Sequence, residues 1–131
     1  MTETRRSVAT GAEWEARFGY HRAVSLGDRA WVSGTTAASR GDEPTGDAGA
    51  QAVAAFRIGI DALRELEFAA TDIVRTRMYI TDPSDADIVG EVHGRLFADI
   101  WPAATLVCVS GLIDPRLRVE IELEAARAPA S

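Results

Sequence analysis

Two segments of the sequence place acidic and basic side chains at a spacing that suits acid–base chemistry. In residues 72–80 and 117–126, charged and polar residues alternate with apolar ones. Successive side chains of a strand point to opposite faces, so each segment predicts a strand with one polar face. The residues on the two polar faces are Arg75, Arg77, Tyr79, Glu120, Glu122 and Glu124. Partly buried carboxylates beside arginines are groups whose pKa values proteins tune for catalysis.

The same rows of charge also have a purely structural interpretation. A solvated outer sheet face would hold cross-strand ion pairs, each contributing about 1 kcal/mol or less. Alternatively, this face packs against another subunit and holds a polar site, and Trp31 and Tyr79 would then supply aromatic surface. The opposite faces should meet helices, and the residues expected there are Val74, Thr76, Met78, Ile80, Val119, Ile121 and Leu123.

Length and charge restrict the class of protein. The 131 residues predict a single domain over 1–131, with residues 1–15 as an N-terminal arm. A net charge of −6 disfavours general binding of nucleic acid or of an anionic membrane. All 14 basic residues are arginines, which excludes a Schiff-base lysine and a Walker-type phosphate loop.

Metal-ligating and membrane-spanning patterns are missing from the sequence. Cys108 is the only cysteine, and His21 and His93 lack metal-ligand spacing, so we expect no metal site. No apolar run approaches the length of a membrane span, and the first residues are polar, unlike a signal peptide. These features predict a cytoplasmic protein with no membrane partner.

Turn residues and apolar periodicity predict the elements that must position the charged strands. Gly27 and Asp28 predict a hairpin turn, and Asp47 is the expected N-cap of a long helix. The predicted elements are strands 21–26 and 29–33, helix 47–68, strand 72–80, a second helix beginning with a capping box at 84–87, strand 105–109 and strand 117–126. The order ββαβαββ predicts an α+β two-layer sandwich, a mixed β-sheet with both helices on one face.

Four short sequence segments, in their order and spacing, resemble the Rid/YjgF family across residues 15–127. They are Phe18-Gly-Tyr20, Trp31-Val-Ser-Gly34, the segment from Asp72 to Asp82, and Pro102-Ala-Ala-Thr followed by Val119-Glu-Ile-Glu122. The resemblance implies a homotrimer with a chorismate-mutase-like fold and small-molecule sites in clefts between subunits. It also implies hydrolysis of reactive imines and enamines, such as 2-aminoacrylate, to 2-keto acids and ammonia without a metal or organic cofactor.

Site residues are carried over from this resemblance position by position. Tyr20 matches a cleft-lining tyrosine, and Ser33 and Gly34 match a strand-end pair that lines the cleft. Glu120 matches the glutamate that holds the attacking water. The competing interpretation of Glu120 is purely structural, as an ion-pair partner of Arg75, Arg77 or Arg118 on the sheet.

The sequence departs from the deaminase pattern where the family arginine grips the substrate carboxylate. Ala104 stands at that position, and Leu106 stands where the family has a cysteine. The lost charge-assisted contact is of a kind that contributes about 1.5–3 kcal/mol. Arg77 or Arg17 is a candidate replacement, although a structural ion pair for Arg77 and a surface position for Arg17 are the competing interpretations.

Three functions follow from this combination. The first is an imine or enamine hydrolase whose substrate differs from 2-aminoacrylate, being less acidic or bulkier. The second is a non-catalytic trimer that binds a small molecule or acts as a scaffold. The third, a ribonuclease, is disfavoured by the net charge of −6 and because the two histidines of the sequence do not form a recognisable catalytic pair.

Overall fold

The computed structural model describes residues 4–129, which form an α+β fold with one six-stranded sheet. The strands are β1 (Arg5–Val8), β2 (Ala23–Leu26), β3 (Arg29–Thr35), β4 (Ile73–Ile80), β5 (Ala103–Cys108) and β6 (Val119–Ala126). The helices are α1 (Glu13–Phe18), α2 (Ala48–Glu65) and α3 (Ala86–Leu96). The strand order is β1-β2-β3-β6-β4-β5, and only the β4–β5 pair is parallel. The predicted mixed sheet is confirmed.

Helix α2 begins where its cap was predicted and ends earlier than expected. The side chain of Asp47 accepts a hydrogen bond from the Ala50 amide at 2.9 Å. At the other end, Glu67 takes a positive φ of 68°, and the Phe68 amide donates to the Leu63 carbonyl at 2.9 Å. The chain therefore leaves the helix after Glu65, and Phe68 turns back into the core instead of extending the helix.

Helices α2 and α3 cover the same face of the sheet. A Cβ on Gly59 would lie 2.9 Å from Leu123 Cδ1, so any larger residue would force the Leu123 side chain or α2 itself to shift. Helix α3 contributes Val89 and Val92 to the same core. The predicted capping box at 84–87 is wrong: Asp82 accepts from the Ser84 amide at 2.9 Å and caps a short 3-10 turn that leads into α3.

The alternation in β4 and β6 is confirmed with one exception. Apolar residues of β6 are buried, while its three glutamates are half-buried on the opposite face. In β4, the register shifts between Ile73 and Arg75, which leaves Val74 48% exposed. Ile73 occupies the core position that was expected for Val74. The cause is a β-bulge, which inserts one extra residue into the strand. The residues before the bulge therefore point to the opposite face from the one that simple alternation predicts.

Residues 4–19 contain more structure than their sequence indicates, and residues 1–3 of the predicted arm lie outside the described residues. Strand β1 pairs with β2 at the edge of the sheet, from Arg5 opposite Leu26 to Val8 opposite Ala23. Helix α1 is only six residues long, and it ends at Gly19, which has a φ of 76°. Elements of four and six residues are too short to show a periodic pattern, so the sequence predicted only an N-terminal arm over residues 1–15.

Candidate active site

A cavity of about 890 Å³ opens at the start of β6, and its volume suits a small-molecule ligand. Its floor is formed by Tyr20, Arg22, Gly34 and Glu120. Trp14 and Phe18 of α1 form one wall, and the loop 113–117 forms another. The cavity therefore lies where α1, the hairpin of β2 and β3, and the start of β6 meet.

Glu120 is a carboxylate without a partner in this cavity. It lies opposite Tyr79 in the β4–β6 register. Within residues 4–129, no hydrogen-bond donor or salt bridge engages its side chain. Burial raises the pKa of Glu120 above its ordinary value of 4.5, the charge of Glu122 raises it further, and Arg22 opposes both. Its oxygens are available to a water molecule or a ligand.

Gly34 leaves room for that carboxylate. The strand register is irregular between Val32 and Thr35, and Gly34 lies in this segment. A Cβ built on Gly34 would lie 2.6 Å from Glu120 Oε2, which is closer than side-chain carbons approach oxygens. The Glu120 carboxylate thus lies directly against the Gly34 backbone, and any side chain at position 34 would displace it.

A buried ion pair, which sequence analysis missed, fixes the floor of the cavity. Arg22 is 1% exposed, and its Nη1 donates to the Gly34 carbonyl at 2.6 Å and to Thr35 Oγ1 at 3.1 Å. Its Nη2 donates to Glu15 at 3.3 Å, and the Glu15 carboxylate also accepts from the Thr10 amide at 3.1 Å. These contacts connect α1 to the strand segment beneath Glu120. No local spacing signals them, because the hairpin brings the partners together.

Aromatic residues form the rim of the cavity. The rings of Trp14 and Phe18 stack with centroids 5.2 Å apart and an interplanar angle of 13°. The Arg17 guanidinium lies 4.9 Å from the Trp14 centroid and 5.3 Å from the Phe18 centroid. Arg17 therefore lies beside both rings and is not part of the cavity lining; its side chain is 60% exposed, with Nη1 3.9 Å from Glu13 Oε1.

Comparisons of the sequence and of the structure with known proteins point to the same family. The sequence profile of the family described as Endoribonuclease L-PSP matches residues 10–127. A Streptomyces coelicolor protein described as uncharacterized protein SCO2049 is 40% identical over 128 residues, which cover 96% of this chain and 95% of that protein. The crystal structure of Rv2704 from Mycobacterium tuberculosis, a member of the YjgF/YER057c/UK114 family, has a TM-score of 0.87 at 40% identity, covering 95% of this chain and all of that one.

This chain belongs to the Rid/YjgF family. A more distant relative is Escherichia coli TdcF, whose crystal structure contains bound serine. It is 25% identical to this chain with a TM-score of 0.75, and the match covers 83% of this chain and 88% of that one. The resemblance of four short sequence segments therefore identified the family correctly.

The structure brings together only some of the site residues expected for a Rid/YjgF protein. Glu120, Gly34 and Tyr20 share the cavity. The hydroxyl of Ser33 instead donates to the His21 carbonyl at 2.7 Å, which satisfies a backbone group. Arg77 lies on the outer sheet face with its Nη1 3.5 Å from Glu124 Oε2, so its observed contact is the ion pair rather than the cavity.

The two positions that depart from the family pattern lie on β5, away from the cavity of the same chain. Ala104 is exposed and pairs in register with Thr76. Leu106 pairs with Met78 and packs against the core from the helix side of the sheet. Within one chain, neither residue contacts the cavity floor.

Two further features of residues 4–129 bear on the expected chemistry. No cluster of three or more His, Cys, Asp or Glu side chains has the arrangement of a metal site in this part of the chain. None of the helices described is long and apolar enough to cross a membrane.

Proposed function

We propose that this Rid/YjgF protein hydrolyses an imine or enamine, without a cofactor, in the cavity that contains Glu120. The observation that carries the proposal is a half-buried carboxylate with a raised pKa and no partner within residues 4–129. The cavity around it is large enough for a small molecule. Family membership supports the same chemistry, and the related TdcF was solved with serine bound.

The bond changes assign a specific task to Glu120. Water adds its oxygen to the C=N carbon while the π electrons move to nitrogen, and the Glu120 carboxylate accepts a proton from that water. The resulting carbinolamine loses ammonia as its C–O bond becomes a carbonyl. An enamine enters the same route after protonation at carbon. A raised pKa makes Glu120 a stronger base than an ordinary glutamate, provided that it is ionised at the working pH.

We further propose that three copies assemble through the sheet face that α2 and α3 leave uncovered. That face carries Trp31, which is 39% exposed, and Val107, which is 40% exposed, beside the polar residues of β4 and β6. Exposed aromatic surface is typical of interfaces. In such a trimer, β5 of a neighbouring copy, which is an edge strand, would border the cavity with its exposed edge, where Ala104 lies, while Leu106 stays on the helix side of its own sheet. Native mass spectrometry should then show three chains of 14.1 kDa each.

A non-catalytic binding trimer is the second candidate, and one observation favours it. Both arginines that line the cavity are already paired, Arg22 with Glu15 and Arg116 with Asp114. Ala104 adds no cation, so a carboxylate-bearing substrate would have no anchor among these residues. A site that binds without turnover would show ligand-dependent thermal stabilisation and no release of ammonia.

Ammonia release from imines made in situ tests the proposal. We expect the wild-type protein to accelerate hydrolysis of at least one imine, and the Glu120→Gln variant to lose that acceleration. Glu124→Gln is the matched control, because it removes a carboxylate from the same strand and face outside the cavity; since Glu124 lies on the proposed interface, it is assayed in protein that keeps the oligomeric mass of the wild type. Thermal stabilisation by ligands together with no acceleration for any imine would support the binding trimer instead.

The Ala104→Arg variant tests whether the neighbouring copy borders the cavity. If β5 of the neighbour lies there, the new guanidinium should increase kcat/KM for 2-aminoacrylate, and it should do so only in protein with the mass of a trimer. An unchanged preference for carboxylate-bearing substrates in a trimeric variant would contradict this placement of β5.

A further inference from the structure

We infer that the substrate is a protonated imine that carries a bulky apolar or aromatic group and no carboxylate. This inference rests on the proposed function and names the substrate class of the same site. Two independent observations lead to it, the balance of charge inside the cavity and the composition of its walls.

The balance of charge favours a cation. Arg22 is neutralised by Glu15, and Arg116 lies 2.6 Å from Asp114 and also pairs with Glu43. Glu120 is the charged residue of the cavity lining that forms no hydrogen bond or salt bridge within residues 4–129, although the nearby Arg22 charge lowers its pKa in part. An iminium nitrogen complements this carboxylate. A substrate carboxylate in the same place would meet like charge in a half-buried site, where water screens poorly.

Arg22 does not offer a free cationic edge to such a carboxylate. Three of its N–H groups already have acceptors, on Gly34, Thr35 and Glu15. Two N–H groups remain, one on Nε and one on Nη2. Nε has no partner within residues 4–129 and is buried, and the whole Arg22 side chain is only 1% exposed, so a substrate carboxylate has little access to either group.

The walls favour a bulky apolar group. Phe18 is 64% exposed and Ile113 is 89% exposed, and they face the same cavity as Trp14, Pro115 and Leu117. Apolar surface of this kind around a polar floor is typical of a ligand site. The Trp14–Phe18 pair already has one cation beside it, since the Arg17 guanidinium lies 4.9 Å and 5.3 Å from the two ring centroids, and aromatic faces attract cations in general.

The inferred reaction balances without a further reactant: R–CH=NH₂⁺ and H₂O give R–CHO and NH₄⁺. Water supplies the carbonyl oxygen, its two protons end on nitrogen, and no oxidation or reduction occurs. The reaction that supplies such an imine is the two-electron oxidation of a primary amine. The aldehyde product requires a subsequent step that oxidises or reduces it.

Two imines that differ by one carboxylate test the inference. One is made in situ from 2-phenylethylamine by an amine oxidase, and the other from phenylalanine by an amino-acid oxidase. We expect kcat/KM to be at least about tenfold higher for the imine without the carboxylate, because the repulsion by Glu120 is absent. A preference for the phenylalanine imine, or for 2-aminoacrylate, would overturn the inference and leave the proposed hydrolase intact.

Variants separate the contribution of the walls from that of a rim cation. Ile113→Ala and Trp14→Ala should raise KM for the phenylethylamine imine several-fold with little change in kcat, since they remove binding surface only. Leu96→Ala, which removes an exposed apolar side chain of α3 outside the cavity, is the matched control for Ile113→Ala. If Arg17→Gln instead abolishes turnover of carboxylate-bearing imines that the wild type prefers, Arg17 is the anchor and the inference is wrong.

Binding of a non-reactive analogue distinguishes this inference from the proposed function. By calorimetry, 2-phenylethylammonium should bind to the wild type and bind more weakly to Glu120→Gln, whereas 3-phenylpropionate should not bind. If the ammonium binds in this way but no imine is hydrolysed, the proposed hydrolase function is overturned, while a cationic apolar ligand for the site is supported. Tighter binding of 3-phenylpropionate than of the ammonium would overturn the ligand class, whether or not imines are hydrolysed.

Discussion

The contact between Gly34 and Glu120 predicts the effect of adding a single methyl group. In Gly34→Ala, the new Cβ would start 2.6 Å from Glu120 Oε2, and the carboxylate must retreat by about 0.8 Å to reach an ordinary contact of 3.4 Å. Misplacement of a catalytic group by about 1 Å can cost a factor of about 100 in rate. We therefore expect kcat/KM for imine hydrolysis to fall by about 10- to 100-fold.

Folding should be affected much less than activity. The clashing atom is the end of a flexible side chain, and alanine has a lower conformational cost than glycine in a strand, so the free energy of unfolding should change by less than about 1 kcal/mol. Hydrolysis of the imine from 2-phenylethylamine and urea denaturation measure the two quantities on the same protein.

Gly94→Ala is the matched control for this substitution. Gly94 is exposed in α3, and a Cβ there would meet no heavy atom within 4 Å. This variant should gain about 0.5–1 kcal/mol of stability and keep wild-type kcat/KM. A folded Gly34→Ala protein with wild-type kcat/KM would refute the argument that the carboxylate acts from its position against Gly34.

Four further outcomes follow from the charges of the site. For the wild type, kcat/KM should fall on acidification through a pKa above 4.5, the ordinary value for Glu120, because only the carboxylate can accept a proton. Glu120→Gln should raise the melting temperature at neutral pH. The folded state holds the Glu120 proton to higher pH than the unfolded chain, so its ionisation weakens folding, and the gain should vanish as the pH falls below 4.5. Glu15→Gln should lower the free energy of unfolding by about 3–5 kcal/mol in urea titrations, since it leaves the buried Arg22 charge unpaired. Finally, despite the family description, a gel assay with single-stranded RNA should show no cleavage that depends on Glu120, since the chain carries a net charge of −6.

Long elements with strong patterns were predictable from the sequence. Asp47 and the apolar stripe of α2 indicated the start and the face of that helix, and the alternation in β6 placed Glu120 on the polar face of the sheet. The bulge at Val74 was not predictable, because Ile73 and Val74 are both apolar and β-branched, so the sequence alone does not show which of the two faces the core.

The cavity was predictable only in part, since its walls come from distant parts of the chain. Glu120, Gly34 and Tyr20 were expected through resemblance to a family, and the structure places them together. The Arg22–Glu15 pair was missed, because the contacts of Arg22 with Gly34 and Thr35 depend on the turn of the hairpin. Trp14 and Phe18 were missed as a rim because α1 itself was not recognised.

The rate of imine hydrolysis in Glu120→Gln tests the central claim most directly. Glutamine keeps the shape of the side chain and cannot accept the proton from water, so the account predicts a loss of about 100- to 10,000-fold in kcat, with Glu124→Gln unchanged. The variant should keep the oligomeric mass of the wild type and its affinity for a neutral ligand of the same shape. Wild-type kcat in Glu120→Gln would contradict the account, because the reaction would then not need the carboxylate on which the site is built.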